Sequence, residues 1–407
     1  MSLSDLESRL CETIASKADS MLDQLAKHVA IPTGHNHVPG LEAYRDLLID
    51  RLKAIGATIE FRDGVASPEW FALPGEQASE DSSPTIMPIV VARRDVNPDS
   101  PRILLSGHLD TVHDPQGDFQ ELTKSEDGKF VIGPGAVDMK GGVLVMITAL
   151  ETLHALRVEF NWIVVLNSDE ERGSFQSMNV LQEIAKECDL GLVFEPALAD
   201  GSLAIERMGS GQFKIEVHGQ SAHVGREFEK GVSAVTRLGE LLVELSNMAD
   251  PRNGMILNVG PLQGGSVTNA VPDYAACWGN MRVKDAEAVA KFDAMLDALV
   301  TTGEALPRVK VHRLWNRPHK PLTDEVQKLA DQARDAAEDL EQRLPFASTG
   351  GVCEGNGLQA AGLPVIDTLG VRGGNLHRTD EFVEVASLVE RTQLLAVLLT
   401  RLSQSTS

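Results

Sequence analysis

The chain has 407 residues, 43% of them hydrophobic, and Lys+Arg 37 against Asp+Glu 59 give a formal net charge of −22. A chain of this length has ample core for more than one domain. The acidic balance argues against a nucleic-acid or anionic-membrane partner, because basic surfaces bind such partners. No apolar run in the sequence approaches the roughly 18 residues that a membrane span needs.

The cysteines and the first residues indicate a cellular compartment. Cys11, Cys188, Cys277 and Cys353 are scattered and form no CxxC pair. This spacing suits a reducing compartment better than a disulfide framework. The first twenty or so residues are polar and amphipathic, without the basic-then-apolar order of a signal sequence. We therefore expect a soluble, cytoplasmic protein.

The N-terminal part predicts two helices followed by alternating strands and helices. Apolar residues with helical spacing lie at 21–29 and again at 41–52, separated by Pro32-Thr33-Gly34. An apolar helix is predicted at 142–156. Short apolar runs predict buried strands at 89–92, 103–105, 162–166, 190–194 and 365–369. This alternation predicts an α/β sheet flanked by helices.

Residues from about 210 to 314 show a different order of predicted strands and helices. Phe213, Ile215 and Val217 alternate as in a strand. The later elements are a helix at 232–248, strands at 255–259 and 274–283, a helix at 286–300 and a strand at 309–314. This βαββαβ order is typical of a ferredoxin-like α+β unit. We predict that a domain of residues 210–314 is inserted into a larger domain formed by residues 1–209 and 315–407.

Residues that can bind a metal follow several of the predicted strands. They are His108 and Asp110 in SGHLDTV, Asp138 in GPGAVDMKGG, Glu170 and Glu171 in NSDEERGS, Glu195 in VFEP, and His377 in GGNLHRTDE. Ligands of open α/β sheets gather beyond the carboxyl ends of the strands. Imidazole and carboxylate groups suit zinc or a similar divalent ion. One such residue alone is more often a solvated loop residue or a helix cap, but the ordered set predicts a metal site.

These motifs, in this order, resemble the dinuclear zinc family of aminoacylase, acetylornithine deacetylase, succinyl-diaminopimelate desuccinylase and glutamate carboxypeptidase. The similarity covers nearly the whole chain and leans toward the glutamate carboxypeptidase and aminoacylase branch. It implies a zinc-exopeptidase-like sheet flanked by helices, with the inserted domain serving as a lid and dimerisation domain.

The resemblance also implies a cofactor of two Zn²⁺ per subunit, with Co²⁺ or Mn²⁺ as alternative metals. His108, Asp138 and Glu195 would bind one ion. Asp138, Glu171 and His377 would bind the other, so that Asp138 bridges the two. One carboxylate can span the separation of about 3.5–4 Å that is typical of two-metal sites.

Two further carboxylates have predicted roles beside the metals. Asp110, two residues after His108, is placed to accept the second N–H of that imidazole and fix its tautomer. Glu170, next to a ligand but not itself bound to metal, would act as the general base that carries a proton to the leaving amine. The alternative is that Glu170 only caps the following helix.

The inserted domain and the return to the main domain carry candidates for substrate binding. The resemblance implies that His223 in GQSAHVG reaches the other subunit's site and helps to hold the carbonyl oxyanion. It implies that Asn269 and Arg317 bind the substrate's carboxylate, for which the planar guanidinium is suited. Gly350 and Gly351 would form a turn that allows close approach of the ligand. Four other histidines, His113, His154, His218 and His319, are expected to be non-ligands.

The sequence thus predicts a metal-dependent amide hydrolase that removes a C-terminal amino acid or an N-acyl group from a small peptide or N-acyl amino acid. We expect a homodimer, because the edge strand of the inserted sheet must be covered or paired. An acetylornithine-type deacylase and a non-catalytic amino-acid- or peptide-binding protein are the alternatives. Cys353, Glu354 and Arg378 depart from residues frequent in the family, on the substrate side.

Overall fold

The structure is a computed structural model that describes residues 2–34, 37–74, 87–97 and 100–404. Its α-helices are α1 Asp5–Ala15, α2 Ala18–Val29, α3 Val38–Ala54, α4 Gly141–Ala155, α5 Met178–Ala185, α6 Ala234–Ser246, α7 Ala286–Asp297, α8 Asp324–Asp339, α9 Glu354–Ala360 and α10 Val385–Gln404. Its strands are β1 Thr58–Arg62, β2 Ile89–Arg94, β3 Arg102–His108, β4 Thr123–Lys124, β5 Phe130–Ile132, β6 Asn161–Asn167, β7 Leu190–Val193, β8 Leu203–Arg207, β9 Gly209–His218, β10 Met255–Gly264, β11 Tyr274–Val283, β12 Arg308–Arg317, β13 Phe346–Thr349, β14 Val365–Ile366, β15 Gly373–Gly374 and β16 Phe382–Glu384.

A six-stranded central sheet has the order β1-β2-β6-β3-β7-β14. Strands β6, β3, β7 and β14 are parallel to their neighbours, whereas β2 pairs antiparallel with β6 and β1 antiparallel with β2. The parallel strands therefore end at one common edge. The polar motifs of the sequence follow three of these ends.

Helices cover both faces of the central sheet. Successive residues of β3 alternate between the two faces, so that Ile103 and Leu105 pack in one hydrophobic core and Leu104 packs in the other. The first core includes α4, which contacts α1, α2 and α10, and the second includes α5 and α9. Because both faces are buried, these strands read as continuous apolar runs.

A separate four-stranded antiparallel sheet has the order β10-β11-β9-β12 and is called the inserted sheet here. With α6 and α7 it shows the predicted βαββαβ order. Ser233 and Asp285 begin these two helices by accepting main-chain N–H groups, as N-caps do. The predicted fold class, an α/β sheet with a ferredoxin-like unit, is confirmed. The domain boundaries remain a prediction.

Two smaller sheets do not appear in the prediction. One is a parallel pair of β8 and β13. The other, called the small sheet here, has the order β15-β16-β5-β4. Its strands are two or three residues long, too short to show an alternating pattern. The loop that carries Asp138 begins after β5, and His377 lies between β15 and β16. Among the described helices, none is long and apolar enough to cross a membrane.

The start of α4 packs closely against Phe194, the residue between β7 and Glu195. A Cβ built on Gly142, in the first turn of α4, would lie 2.0 Å from the carbonyl oxygen of Phe194. No side chain fits there unless the helix moves away from the sheet. The glycine is therefore required by close packing and not by its backbone angles.

Gly142→Ala is expected to lower the free energy of unfolding by about 1–3 kcal/mol, because it overpacks this contact. Gly239→Ala is the matched control, since a Cβ at this exposed helical site meets nothing within 4 Å. It should stabilise the protein by about 0.5–1 kcal/mol through helix propensity. Urea unfolding measures both changes; equal effects at the two sites would contradict the packing argument.

Candidate active site

The candidate site lies at the edge where the parallel strands of the central sheet end. His108 is the last residue of β3, and Glu170 and Glu171 follow the end of β6. Glu195 comes two residues after the end of β7. Asp138 and His377 lie in loops of the small sheet, after β5 and between β15 and β16. The five predicted ligands therefore come from five separated stretches of sequence and converge here.

Asp138 lies between the two histidines. Its Oδ1 is 3.3 Å from His108 Nε2, and its Oδ2 is 3.5 Å from His377 Nε2. Glu195 Oε1 lies 3.9 Å from His108 Nε2 on one side. Glu171 Oε2 lies 3.3 Å from His377 Nε2 on the other side. One carboxylate thus presents each of its oxygens to a different histidine–glutamate pair.

The donor atoms have the chemistry of a divalent-cation site. Four of them are buried and have no hydrogen-bond partner among the described residues: His108 Nε2, Asp138 Oδ1, Glu171 Oε1 and Glu195 Oε1. Unpartnered buried polar atoms are costly and therefore rare. Divalent ions held in this cluster would satisfy these atoms, so the residues fit the metal that the motifs predict.

Grouping by distance differs in part from the predicted ligand sets. Donor atoms that all lie within 4.8 Å of one another come from His108, Asp138 and Glu171 in one group. They come from His108, Glu170 and Glu195 in the other group. Glu170 therefore lies as close to His108 as a ligand would, although the sequence predicts a base there.

Burial dominates the electrostatics of the carboxylates. It raises the pKa of Glu171 to about 8. Burial, followed by repulsion from Glu170 and Asp138, raises the pKa of Glu195 well above its usual value. Buried carboxylates that repel one another favour a compensating cation at the same place.

The histidines respond to the same carboxylates. Hydrogen bonding to Asp138 and Glu171 raises the pKa of His377 to about 10. Burial disfavours the charged form of His108, but the Asp110 and Asp138 carboxylates outweigh burial and raise its pKa well above its usual value. His377 is half-exposed and His108 is buried, so one side of the cluster faces solvent.

Asp110 supports His108 through its main chain. His108 Nδ1 lies 2.9 Å from the Asp110 carbonyl oxygen and 3.5 Å from its carboxylate. The carboxylate instead accepts the main-chain N–H groups of Glu170 and Glu171, at 3.2 and 3.0 Å. The residue predicted to fix the imidazole thus contacts it, but its side chain orients the loop that carries the two glutamates.

Arg317 contacts Glu170 in this structure. Its Nη2 donates to the Glu170 carboxylate at 2.5 Å, to the Glu170 carbonyl oxygen at 2.8 Å and to Ser174 Oγ at 3.0 Å. Arg317 and Glu170 are both buried. Burial raises the pKa of Glu170 despite the nearby guanidinium. The sequence predicted a substrate-binding arginine; the structure adds an ion pair with the predicted base.

The remaining candidates lie apart from this cluster. His223 and Asn269 are exposed and close together, since Val224 N donates to the Asn269 carbonyl oxygen and His223 bridges to Ala270. Within the described part of the chain, no hydrogen bond or ion pair joins either side chain to the predicted ligands. Gly350 and Gly351 form an exposed turn just before α9.

Sequence reasoning missed one acidic residue at the site. Glu381 is buried, and its carboxylate contacts the Asp138 loop and His113. The one signal in the sequence that could have identified Glu381 is its position four residues after His377 in the same motif. Glu354, predicted as a departure from the family, is fully buried, and burial raises its pKa to about 7.

A cluster of two histidines and buried carboxylates at the carboxyl edge of an α/β sheet fits a metal site. The chain belongs to peptidase family M20/M25/M40, whose family model matches residues 104–401. The resemblance seen in the sequence is confirmed. The protein is a metal-dependent amide hydrolase of this family.

Individual proteins resemble this chain in sequence or in fold. The chain is 28% identical over 399 residues to carboxypeptidase G2 of Pseudomonas sp. (strain RS-16), covering 96% of this chain and 91% of that protein. The fold matches a tripeptidase from Staphylococcus aureus with TM-score 0.75 at 18% identity, covering 95% and 99% of the two chains. It also matches a dinuclear metal-binding peptidase from Bacillus subtilis with TM-score 0.65 at 14% identity, covering 96% and 99%.

Asp138→Asn is expected to weaken the binding of both ions, because Asp138 is the carboxylate between the two halves of the cluster. The loss should be at least the roughly 10–100-fold seen when residues that only support ligands are changed. Titration of metal-free protein with Zn²⁺ in the presence of a competing chelator measures it. Asp127→Asn, an exposed turn residue, is the control and should bind as the wild type does. A variant that still binds two ions tightly would rule out the bridging position.

Proposed function

We propose that the chain is a glutamate-carboxypeptidase-like hydrolase that releases a C-terminal amino acid, or the acyl group of an N-acyl amino acid. The observation that carries this proposal is the position of Glu170. Its carboxylate is buried, lies beside His108 and Glu195, and is held by Arg317. A protein that only bound peptides would have no need of a carboxylate in that position.

Two divalent ions belong to the proposal, with zinc as the first candidate. His108, Asp138 and Glu195 would hold one ion, and Asp138, Glu171 and His377 would hold the other. When bound, such ions lower the pKa of water and polarise an amide carbonyl. The dinuclear metal-binding fold neighbour supports this assignment.

Glu170 would move the proton in the reaction. Its carboxylate would accept a proton from the attacking water and deliver it to the nitrogen of the leaving amine. Arg317 fixes the carboxylate in one orientation, and Asp110 fixes the main chain that carries it. Both contacts limit where that proton can be transferred.

Arg317 would also select substrates with a free carboxylate. Only its Nη2 is engaged with Glu170, and its Nε is buried without a hydrogen-bond partner among the described residues. An Nε–H donor next to the base suits the free carboxylate of the amino acid whose amide bond is cleaved. Asn269 and the turn at Gly350 and Gly351 would complete the substrate pocket.

A hydrolysis screen with matched substrate pairs tests the proposed function. Metal-loaded protein is incubated with N-acyl amino acids and dipeptides, each also supplied as its C-terminal amide, and the products are detected by mass. We expect cleavage of the free-carboxylate member of each pair only. Cleavage that requires a free amine and ignores the carboxylate would indicate an aminopeptidase instead. No cleavage of any amide by metal-loaded protein would refute the proposed function.

Glu170→Gln is expected to retain the metal but lose kcat by about 10²–10⁴-fold, the range for removal of a general base. The substitution keeps the shape of the side chain but removes its ability to accept the proton and the negative charge that pairs with Arg317. Glu183→Gln, an exposed residue of α5 paired with Arg62, is the control and should keep wild-type kcat. Wild-type turnover by Glu170→Gln would show that Glu170 is a structural cap.

A homodimer through the inserted sheet is part of the proposal. Strand β10 is an edge of that sheet and exposes Ile256 and Leu262, at 41% and 56%. The neighbouring helix α6 exposes Val235 and Val243, at 41% and 63%. An apolar edge strand beside an apolar helix surface suits pairing with its own copy about a two-fold axis. The exposed His223 would then reach the partner's cluster.

Subunit mixing tests this arrangement. His223→Ala and Glu170→Gln subunits are each expected to be nearly inactive, but their heterodimer contains one site with both residues intact if His223 acts in trans. Activity should therefore reappear on mixing, approaching half of the wild-type value per heterodimer. In the control, His223→Ala is replaced by His218→Ala, at the last residue of β9 in the inserted sheet. Inactivity of the mixture after confirmed subunit exchange would refute action in trans.

We also propose a cytoplasmic location. All four cysteines belong to the described part of the chain and are free, and two of them are buried. Free thiols are typical of reducing compartments.

A further inference from the structure

Glu381 is the acidic residue at which three segments of the site meet. It lies four residues after His377, directly before β16, and is 1% exposed. The sequence singled it out for no role, and the proposed chemistry does not use it. Its carboxylate is nevertheless one of the most completely bonded groups beside the cluster.

The carboxylate of Glu381 binds the main chain of the Asp138 loop. Oε1 accepts the N–H of Val137 at 2.8 Å and the N–H of Asp138 itself at 3.0 Å. Oε2 accepts the N–H of Gly135 at 3.1 Å. In addition, the carbonyl oxygen of Glu381 accepts the N–H of Gly133 at 3.1 Å. Glu381 thus accepts four main-chain N–H groups between the end of β5 and Asp138.

The same carboxylate reaches the segment that follows His108. Oε2 lies 2.6 Å from His113 Nε2, and His113 stands five residues after His108. Phe119 packs edge-on against the imidazole of His113, with ring centroids 5.2 Å apart. His113, which the sequence predicted as a non-ligand, is therefore a partner of Glu381.

These contacts control how Asp138 is presented. The N–H that Glu381 accepts belongs to the residue whose two carboxylate oxygens face His108 and His377. A small rotation of that main chain would move at least one of the two oxygens away from the histidine that it faces. Hydrogen bonds from N–H groups to a charged acceptor are shorter and stronger than neutral ones. Glu381 can therefore hold the loop more firmly than a neutral side chain could.

We propose that Glu381 is a positioning residue that orients Asp138 between the two halves of the metal cluster and ties it to the His377 segment. The inference rests on the proposed ligand sets. Residues that orient ligands typically contribute about 10–100-fold to metal affinity or activity. A residue that only stabilised the loop would affect folding and leave metal affinity unchanged.

The test compares Glu381→Gln with Glu384→Gln. Both substitutions remove one negative charge. Glu381 directly precedes β16, and Glu384 is the last residue of that strand. Glu384 accepts from the partly buried Arg372 at 2.8 Å, and within the described residues no hydrogen bond or ion pair joins it to the Asp138 loop. Glu381→Gln replaces one acceptor oxygen with an NH₂ donor, so the side chain can no longer accept both from Gly135 and His113 and from Val137 and Asp138. Zn²⁺ affinity is measured by chelator competition, and the melting temperature of the metal-free protein is measured alongside.

Glu381→Gln should weaken Zn²⁺ binding by about 10–100-fold at one or both positions. Glu384→Gln should bind Zn²⁺ as the wild type does. Co²⁺-loaded protein should show an altered visible absorption spectrum for Glu381→Gln and an unchanged one for Glu384→Gln. Wild-type Zn²⁺ affinity in Glu381→Gln, even with a lower melting temperature, would overturn the proposal.

A second variant covers the case in which Glu381→Gln does not fold. His113→Leu leaves the three main-chain N–H contacts of the Glu381 carboxylate in place and removes the donor through which it contacts the segment after His108. It should weaken Zn²⁺ binding in the same direction but less, and unchanged affinity would count against the proposal. Failure of the proposed function looks different: wild-type protein would then bind no metal, or would bind it and cleave no amide.

Discussion

The site depends on one buried carboxylate that lies between two histidines. Asp138 is only 7% exposed, and its two oxygens face His108 and His377. Burying a carboxylate is costly unless positive charge and hydrogen bonds compensate. The two imidazoles outweigh burial and keep the pKa of Asp138 below its usual value. Because Asp138 must meet both histidines at once, the central sheet and the small sheet must hold a fixed relative position.

A second constraint links the inserted sheet to the catalytic loop. Arg317 is the last residue of β12, and its guanidinium is bound to Glu170. The preceding residue, Asn316, donates to the carbonyl oxygen of Gly173 in the loop that carries Glu170. Movement of the inserted sheet relative to the central sheet must therefore pull on the residue proposed as the base. Substrate binding and the position of Glu170 would be coupled through this strand end.

The sequence predicted those parts of the site whose signal lies in long apolar strands. Strand β6 and its neighbours are buried on both faces, so the residues that follow them, such as Glu170 and Glu195, could be assigned to one edge. The small sheet could not be predicted, because strands of two or three residues carry no periodicity. Its absence from the prediction also hid Glu381, whose partners are main-chain N–H groups. The pairing of Arg317 with Glu170 was missed for a similar reason: side-chain partners distant in sequence leave no local pattern.

The departures from the family divide into two physical classes. Arg378 is exposed and pairs with its neighbour Asp380 at 2.8 Å, so its charge is satisfied beside the site without entering it. Cys353 and Glu354 are fully buried at the start of α9. Asn356 in the same turn donates to the carbonyl oxygens of Met208 and Pro318, which flank the inserted sheet. The start of α9 therefore contacts the chain next to Arg317, whereas Arg378 pairs with Asp380. We expect substrate preference within this fold to depend on this buried turn, because it contacts the residue directly after Arg317, the arginine proposed to bind the substrate carboxylate.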